Sequence, residues 1–278
     1  MKNALATWKW SVAVVARSPG LLVVLAALVA LWSFGAYQWL WLPESSGLLL
    51  LFALVWGVAQ VLLVVVVLTG AATNASEAAA TRAARLELRS FAAFNRGQFV
   101  RCLVMATVSG LLVVTLAAAF SWVNEYALEV ASVVTFYSEK AVSPVSVGKV
   151  LWVIQAYLWI AIWGFLLSFL IVLLRAGWSK AGRQAAHLLA NSCWRASLLT
   201  SLLTVVVFGG LAYLLATWHP KVLAGFLDYA QLLLRLGGAL LLLVFGWLFW
   251  MLALARMVVV SQEGKAGTTS TPEVAVRD

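Results

Sequence analysis

The sequence predicts an all-α integral membrane protein with six transmembrane helices. Six stretches contain no charged residue, and the shortest has 20 residues: 18–43, 45–76, 102–124, 150–174, 196–220 and 236–255. A hydrocarbon core about 30 Å thick needs roughly 20 apolar residues, so each stretch is long enough to span a bilayer. The composition agrees, because 64% of the residues are hydrophobic and the mean hydropathy is +1.00, against about 45–50% apolar residues in soluble domains.

A short basic segment with an amphipathic pattern precedes each odd-numbered span. The segments cover 4–17, 86–98 and 183–195. Apolar residues recur there at helical spacing: Leu5, Trp8, Val12 and Val15 in the first, Leu88, Phe91 and Phe94 in the second, and Leu188, Leu189 and Trp194 in the third. This pattern is typical of a helix lying among lipid headgroups. The chain is therefore predicted to contain three pseudo-repeats of interfacial helix plus transmembrane hairpin, over 4–70, 86–174 and 183–260.

Turn-forming or small polar residues, such as Ser18 and Pro19, join each segment to its span. This arrangement of elements resembles several bacterial six-span families of unassigned function and the membrane domain that accompanies some glycerophosphodiester phosphodiesterases. The resemblance concerns the arrangement alone and implies no functional residue.

The connections on the other side of the membrane differ from one another. Residues 43–47 predict a tight turn, and 122–149 form the longest loop, with a helical pattern that ends at Ser143 and Pro144. Residues 221–235 carry one polar stripe, which indicates either an interfacial helix or an extension of the sixth span. We expect residues 1–260 to form a single domain and 261–278 to be a disordered cytoplasmic tail.

The basic residues predict the orientation of the chain. If the spans alternate and both termini share a side, fifteen of the nineteen Lys and Arg residues fall on that side. Cytoplasmic loops of membrane proteins carry such an excess, so both termini are predicted to be cytoplasmic in a bacterial-type cytoplasmic membrane. This distribution explains the net charge of +9, because the basic residues set the topology and contact anionic lipid headgroups. It gives no reason to expect nucleic-acid binding.

Catalytic machinery is not recognisable in the sequence. No ionisable residue lies in the middle of a span, and no Asp or Glu stands with a His at the spacing of metal ligands. His187 in the third basic segment and His219 at the outer end of the fifth span could each ligate a haem or chlorophyll metal. They are predicted to lie on opposite sides of the membrane, however, and lone interfacial histidines are mostly solvated or hydrogen-bonded. We therefore expect no enzyme activity, no metal and no cofactor.

Two amides and a group of tryptophans are the remaining candidates within the spans. Gln60 and Gln155 are the most central polar residues, and such amides usually form interhelical hydrogen bonds, while a substrate contact is the rarer alternative. Trp159 and Trp163 share a face of the fourth span with Trp152. These rings are expected to pack in the core or, alternatively, to form a platform for an isoprenoid, quinone, carotenoid or lipid chain.

Small residues four positions apart are also frequent. They allow helices to approach closely, and the pairs are Ala106/Gly110, Gly164/Ser168, Ser197/Ser201 and Thr200/Thr204.

The sequence predicts a non-catalytic accessory, scaffolding or lipid-organising protein, with membrane lipids and other membrane subunits as expected partners. The alternative is a permease or lipid-handling protein for an apolar or neutral solute. A polar pocket around Gln60 and Gln155 would favour the permease, whereas an apolar seam facing lipid or a partner would favour the scaffold.

Overall fold

The computed structural model describes residues 2–42, 46–138, 141, 143–194, 196–218 and 226–268. They form the helices α1 Lys2–Ala16, α2 Pro19–Leu40, α3 Gly47–Thr81, α4 Leu88–Ala92, α5 Arg96–Glu125, α6 Ala127–Ser138, α7 Pro144–Trp194, α8 Ala196–Leu203, α9 Gly210–Thr217 and α10 Phe226–Thr268, with a π-helical segment, Thr204–Gly209, between α8 and α9. Within these ranges, six helical stretches are long and apolar enough to cross a membrane. The prediction of an all-α chain with six apolar helices compatible with membrane spanning is confirmed.

Six helical units therefore correspond to the six predicted spans. Their bounds are Pro19–Leu40, Gly47–Thr81, Arg96–Glu125, Pro144–Cys193, Ala196–Thr217 and Asp228–Ser261. Several are much longer than a bilayer requires, since α3 has 35 residues and α7 has 51. The excess length of α7 includes most of the third basic segment, whereas α3 ends before the second one.

The second basic segment does not form one continuous helix, which differs from the prediction. It contains the five-residue helix α4, a break at residues 93–95 and the first three residues of α5. The Asn95 side chain accepts a hydrogen bond from Gln98 N at 2.8 Å, and the Gln98 side chain accepts one from Asn95 N at 2.9 Å. This capping box starts α5 at Arg96 and removes the last residues of the segment from any interfacial helix. Phe91 is buried, whereas Leu88 is half exposed.

The third basic segment is the continuation of the fourth span. Helix α7 passes through Gly177, whose φ of 80° and ψ of 175° are not helical. Essentially only glycine adopts this backbone conformation. The chain changes direction there, so residues 178–194 form the amphipathic part of α7 with no intervening loop.

Three helices, α3, α7 and α10, contact one another and carry most of the buried apolar residues. The other spans lie around them: α2 contacts α3 and α10, α5 contacts α3 and α7, and α8 contacts α7 and α10. The N-terminal helix α1 packs against α10 and α2. Its buried face holds Ser11, Val14 and Val15, while the predicted face residues Leu5 and Val12 are exposed.

The core lies toward one end of the bundle, where residues 65–79 of α3, 166–174 of α7 and 244–259 of α10 meet. We call this the basic end, since Arg82, Arg175 and Arg256 lie at or just beyond these segments. Long-range hydrogen bonds connect the chain segments that meet there. Leu86 N donates to Ser18 Oγ at 2.8 Å, and Arg256 Nη1 donates to Ala79 O at 2.8 Å.

The fifth span contains the π-helical segment at its middle. One extra residue per turn changes which side chains face the neighbouring helix. Phe208 contacts Phe245 and Phe249, with ring centroids 5.4 Å apart in each pair. A Cβ at Gly246 would overlap Phe208, so this glycine allows the aromatic ring to reach α10. Phe245 and Phe249 of the sixth span thus pack against a ring from the fifth.

The predicted connections are only partly described. Tyr126 ends α5, and α6 is a separate helix that packs against α7. Of the two alternatives for residues 221–235, the extension of the sixth span is observed from Phe226 onward. Helix α10 continues to Thr268, so the first residues of the predicted disordered tail are helical, and 269–278 lie outside the described residues.

Candidate functional site

Gln155 forms an interhelical hydrogen bond, as expected of an amide within a span. Its Nε2 donates to Asn124 Oδ1 at 2.8 Å, which joins α7 to the end of α5 that is far from the basic end. Each of the two side-chain amides is thus the hydrogen-bond partner of the other. This geometry supports packing as the role of Gln155.

Gln60 occupies a different environment, an apolar groove between α2, α3 and α5 with a volume of about 1080 Å³. Its amide lies against Gly35, where a Cβ would overlap Gln60 Nε2. Gln60 Oε1 is buried and has no hydrogen-bond partner. We call this cavity the large groove; other residues that line it are Trp32, Trp39, Leu54, Leu103, Ala106 and Gly110.

The large groove does not include Gln155 among the described residues that line it. A single polar pocket around both glutamines, which would favour a permease, is therefore not formed in the described part of the chain. A second apolar groove of about 380 Å³ lies between α2, α3 and α10. It is lined by Trp32, Val67 and Trp247 among others, so Trp32 borders both grooves.

Trp159 and Trp163 do not form a buried core, which corrects the default expectation. Trp163 is 43% exposed and Trp152 is 68% exposed, so both rings lie on the outer surface of α7. Trp159 is half-buried and packs edge to face on Phe120, with centroids 5.5 Å apart. The reason is that this stretch of α7 precedes the core, which begins around Leu166.

His187 is part-buried and lies near Asn191 of the same helix, with His187 Nδ1 and Asn191 Nδ2 3.2 Å apart. His219, the other weak cofactor candidate, lies outside the described residues. Within the described ranges, no group of three or more His, Cys, Asp or Glu residues could hold a metal ion.

Hydroxyl groups and indoles connect the helices at the basic end. Trp8 Nε1 donates to Thr200 Oγ1 at 2.8 Å, and Trp250 Nε1 donates to Ser201 Oγ at 2.9 Å. A Cβ at Gly164 would lie 2.8 Å from Ser201 Oγ. The small-residue pairs Gly164/Ser168 and Ser197/Ser201 thus lie where α7 and α8 approach most closely, as their spacing predicts.

A cavity of about 570 Å³ opens at the basic end, and we call it the basic cavity. Its lining comes from four regions of the chain: Ala4, Ala6, Thr7 and Trp10 from α1, Arg82 after α3, Ala196 from α8, and Arg256, Met257, Val260 and Ser261 from α10. Two arginines therefore border one cavity, although they are far apart in sequence. None of the described residues that line it is acidic.

The backbone of Arg82 is unusual. It has φ 53° and ψ 40°, the left-handed conformation, and is the one non-glycine residue with positive φ in the described part of the chain. Its N–H bonds to Ala78 O and closes the end of α3. Glycine or asparagine usually occupies this position after a helix. Arg256 completes the same helix end through its bond to Ala79 O.

A smaller cavity of about 150 Å³ shares Ala196, Met257 and Ser261 with the basic cavity. Ser168 and Asn191 also line it. Asn191 Oδ1 is buried and has no hydrogen-bond partner.

Comparison with protein families, curated proteins and solved structures finds no match to this chain. The site is therefore interpreted from its own geometry.

Sequence reasoning missed the basic cavity. Arg82 and Arg256 entered the prediction only as charges that set the orientation, because 174 positions separate them and no local pattern connects them. The capping box at Asn95 was also missed, although the spacing of Asn95 and Gln98 is a recognisable helix-start pattern.

Proposed function

We propose that the chain is a non-catalytic, multi-pass protein of a bacterial-type cytoplasmic membrane that organises lipid along the sides of its helical bundle. The large groove is the observation that carries this proposal. It holds about 1080 Å³ between α2, α3 and α5, and its lining is apolar except at Gln60 and Thr107. In a bilayer, acyl chains are the matching occupant of such a groove, because an apolar cavity of this kind offers water few hydrogen-bond partners.

The interior of the described bundle supports a passive role. The buried polar groups are hydroxyls and an amide, namely Ser11, Ser18, Thr69, Thr73, Asn74, Ser76, Ser168, Ser192, Ser197, Thr200, Ser201 and Thr204. Such groups are neutral across the physiological pH range and do not couple transport to a proton gradient. We therefore favour lipid organisation over ion-coupled transport.

A groove-filling substitution tests the proposal. A Cβ at Gly110 meets no atom within 4 Å, so Gly110→Trp introduces a large ring at the wall of the large groove with no overlap at its Cβ. Val114 is 68% exposed on the same helix and does not line the groove, which makes Val114→Trp a matched control. Native mass spectrometry of protein extracted in mild detergent counts the retained lipids. Gly110→Trp should retain fewer lipids than the wild type and Val114→Trp an equal number.

Equal lipid retention by Gly110→Trp and the wild type would contradict the proposal. A lipid carrying a photoactivatable acyl chain gives a second measurement, because cross-links at groove residues such as Leu54 and Leu103 should decrease in Gly110→Trp.

A permease or lipid-handling protein for an apolar or neutral solute is the second candidate. The unpaired Gln60 Oε1 in the large groove favours it, since a solute with a hydroxyl or amide group could donate to that oxygen. Flux of such a solute into liposomes, abolished by Gln60→Leu, would establish this function in place of lipid organisation.

We propose the cytoplasmic orientation of the basic end from the excess of Lys and Arg there. Single cysteines placed at Ala84 and Gly182 should react only from the cytoplasmic side, and those at Ser46 and Ser138 only from the outside. All four positions are exposed, so reactivity reports sidedness and not burial. Reaction of position 138 from the cytoplasm would exclude the six-span topology.

The threefold pseudo-repeat is proposed as the way the bundle is built. Its support is a cyclic pattern of contacts among the six spans. Each span contacts the next one along the chain, and the first span, α2, contacts the last, α10. An experimental structure in which a threefold rotation fails to superpose the hairpins would refute the repeat.

A further inference from the structure

We infer that the basic cavity binds the phosphate group of an anionic phospholipid, with Arg82 and Arg256 as its two cationic contacts. The inference rests on the proposed lipid-organising function and deepens it by naming a headgroup class and a site. It is distinct from the large groove, which lies between other helices and is lined by apolar side chains.

The charge of the cavity is the first argument. Arg82 and Arg256 both line it, and none of the described lining residues is acidic. Arg256 is half-buried, and a partly desolvated guanidinium group is unfavourable unless an anion or several acceptors accompany it. The described walls supply no carboxylate. An external anion is therefore the complementary ligand, and planar guanidinium groups are well suited to phosphate.

The backbone of Arg82 is the second argument. A left-handed conformation disfavours a residue with a Cβ, and glycine would adopt it without that cost. The position closes α3 through its backbone N–H, a role that glycine performs equally well. Apart from the favourable interaction of a cation with this end of the helix dipole, the closure of α3 does not require the arginine side chain. Its position on the wall of the basic cavity suits this side chain to binding an anion.

The position of Arg256 is the third argument. Its Nη1 donates to Ala79 O at 2.8 Å, which anchors the guanidinium group at the end of α3. A guanidinium group has five N–H donors, so this one bond leaves others for a ligand. An anchored arginine loses less conformational entropy on binding than a free one.

The remaining wall explains why the anion belongs to a lipid. Trp10, Ala4 and Val260 give the cavity an apolar side between α1 and α10, and Val260 is 41% exposed. Indole groups are enriched at the level of lipid headgroups. The basic end also faces the leaflet that carries anionic lipids under the proposed orientation. A headgroup phosphate with its glycerol and first methylenes matches this mixed lining better than a free anion does.

The test compares lipid binding by three variants of the full chain. Arg82→Gly removes one guanidinium group and relieves the backbone, and Arg256→Gln removes the other charge while keeping an amide donor for Ala79 O. Arg183→Gln is the control, because Arg183 is exposed and bonds only to Ser179 of its own helix in the described structure. Purified protein in phosphatidylcholine nanodiscs is titrated with phosphatidylglycerol, and binding is followed by native mass spectrometry.

Arg82→Gly and Arg256→Gln should each weaken phosphatidylglycerol binding about fivefold or more, as expected when one basic residue near the membrane surface is lost. Arg183→Gln should bind as the wild type does. The midpoint of thermal unfolding of Arg82→Gly should equal or exceed that of the wild type, so its loss of binding cannot result from misfolding. If Arg256→Gln does not fold, Arg82→Gly alone decides the question.

Two results would overturn the inference. Unchanged phosphatidylglycerol binding by Arg82→Gly would remove the site, and displacement of the lipid by millimolar inorganic phosphate would assign the cavity to a free anion. Neither outcome affects the proposed function, which is tested separately by Gly110→Trp. The converse outcome is that Gly110→Trp retains as many lipids as the wild type while Arg82→Gly binds phosphatidylglycerol more weakly. That combination would refute lipid binding in the large groove and support the headgroup site in the basic cavity.

Discussion

The contact between Gly164 and Ser201 offers the sharpest test of how the bundle is packed. A Cβ at Gly164 would lie 2.8 Å from Ser201 Oγ, closer than non-bonded atoms approach. Ser201 Oγ accepts the hydrogen bond from Trp250 at 2.9 Å and donates to Ser197 O at 2.9 Å. Gly164→Ala must therefore separate α7 from α8 or displace this hydroxyl.

The expected loss of stability follows from these contacts. Overpacking a close contact costs about 1–3 kcal/mol, and an interhelical hydrogen bond within a membrane contributes about 0.6 kcal/mol on average. Gly164→Ala should therefore lower the free energy of unfolding by about 1–3 kcal/mol, once the helix-propensity gain of up to about 1 kcal/mol from replacing Gly by Ala is subtracted. Ser201→Ala removes the hydroxyl and leaves the Trp250 N–H without its acceptor, which should cost about 1 kcal/mol.

The double variant of Gly164→Ala and Ser201→Ala distinguishes steric overlap at this contact from a general effect of placing Ala at position 164. With Ser201→Ala present, the added Cβ of Gly164→Ala no longer meets an oxygen, so the combined loss should be about 1–2 kcal/mol, well below the sum. Unfolding is measured in mixed micelles by tryptophan fluorescence. Gly182→Ala is the control on the same helix, because a Cβ there meets no atom within 4 Å, and it should be neutral or stabilising by up to about 1 kcal/mol.

Two outcomes would refute this account of the packing. Gly164→Ala within about 0.5 kcal/mol of the wild type would mean that α7 and α8 do not approach so closely. Additive losses in the double variant would mean that the two side-chain positions do not meet.

Three further expectations concern residues inside or beside the spans. Gly177→Ala should destabilise by about 1–3 kcal/mol, since its φ of 80° excludes a Cβ, and thermal unfolding measures the loss. Trp159→Ala should cost more stability than Trp163→Ala in the same assay, because Trp163 is 43% exposed; an equal or reversed order would contradict the packing of Trp159 on Phe120. Gln60→Leu should be neutral or slightly stabilising, as its oxygen is unpaired, whereas Gln155→Leu should cost about 0.6 kcal/mol. A larger loss for Gln60 in micelle unfolding would reveal a partner for that oxygen.

Local signals in the sequence predicted some of the contacts correctly. The small residues Gly164 and Ser201 were identified from spacing alone, and the structure brings them together between α7 and α8. Gln155 was expected to bond across helices, and it pairs with Asn124. In both cases the physical cause is local. A small residue allows a neighbouring helix to approach closely, and an amide within a lipid environment requires a hydrogen-bond partner.

Other expectations failed because burial is not a property of one helix. Trp159 and Trp163 look like core residues in a span without charges, yet Trp163 lies on the outer surface. In a bilayer, apolar side chains are equally suited to lipid and to protein, so hydrophobicity does not distinguish the two faces. The short helix α4 has a different cause, because the capping box at Asn95 begins α5 within the segment, and that local signal was overlooked.

The sequence by itself determined the all-α class of the protein and the number of its helices that are long and apolar enough to cross a membrane. These follow from the lengths of charge-free stretches, because a bilayer excludes charges and requires about 20 residues per helix. Only the tertiary structure decided which residues share a cavity. Arg82 and Arg256 line the same cavity because α10 packs against α3 and brings Arg256 to the C-terminal end of that helix. Gln60 and Gln155 lie apart because their helices face different neighbours. Such placements depend on the packing of whole helices, and no local pattern of residues specifies them.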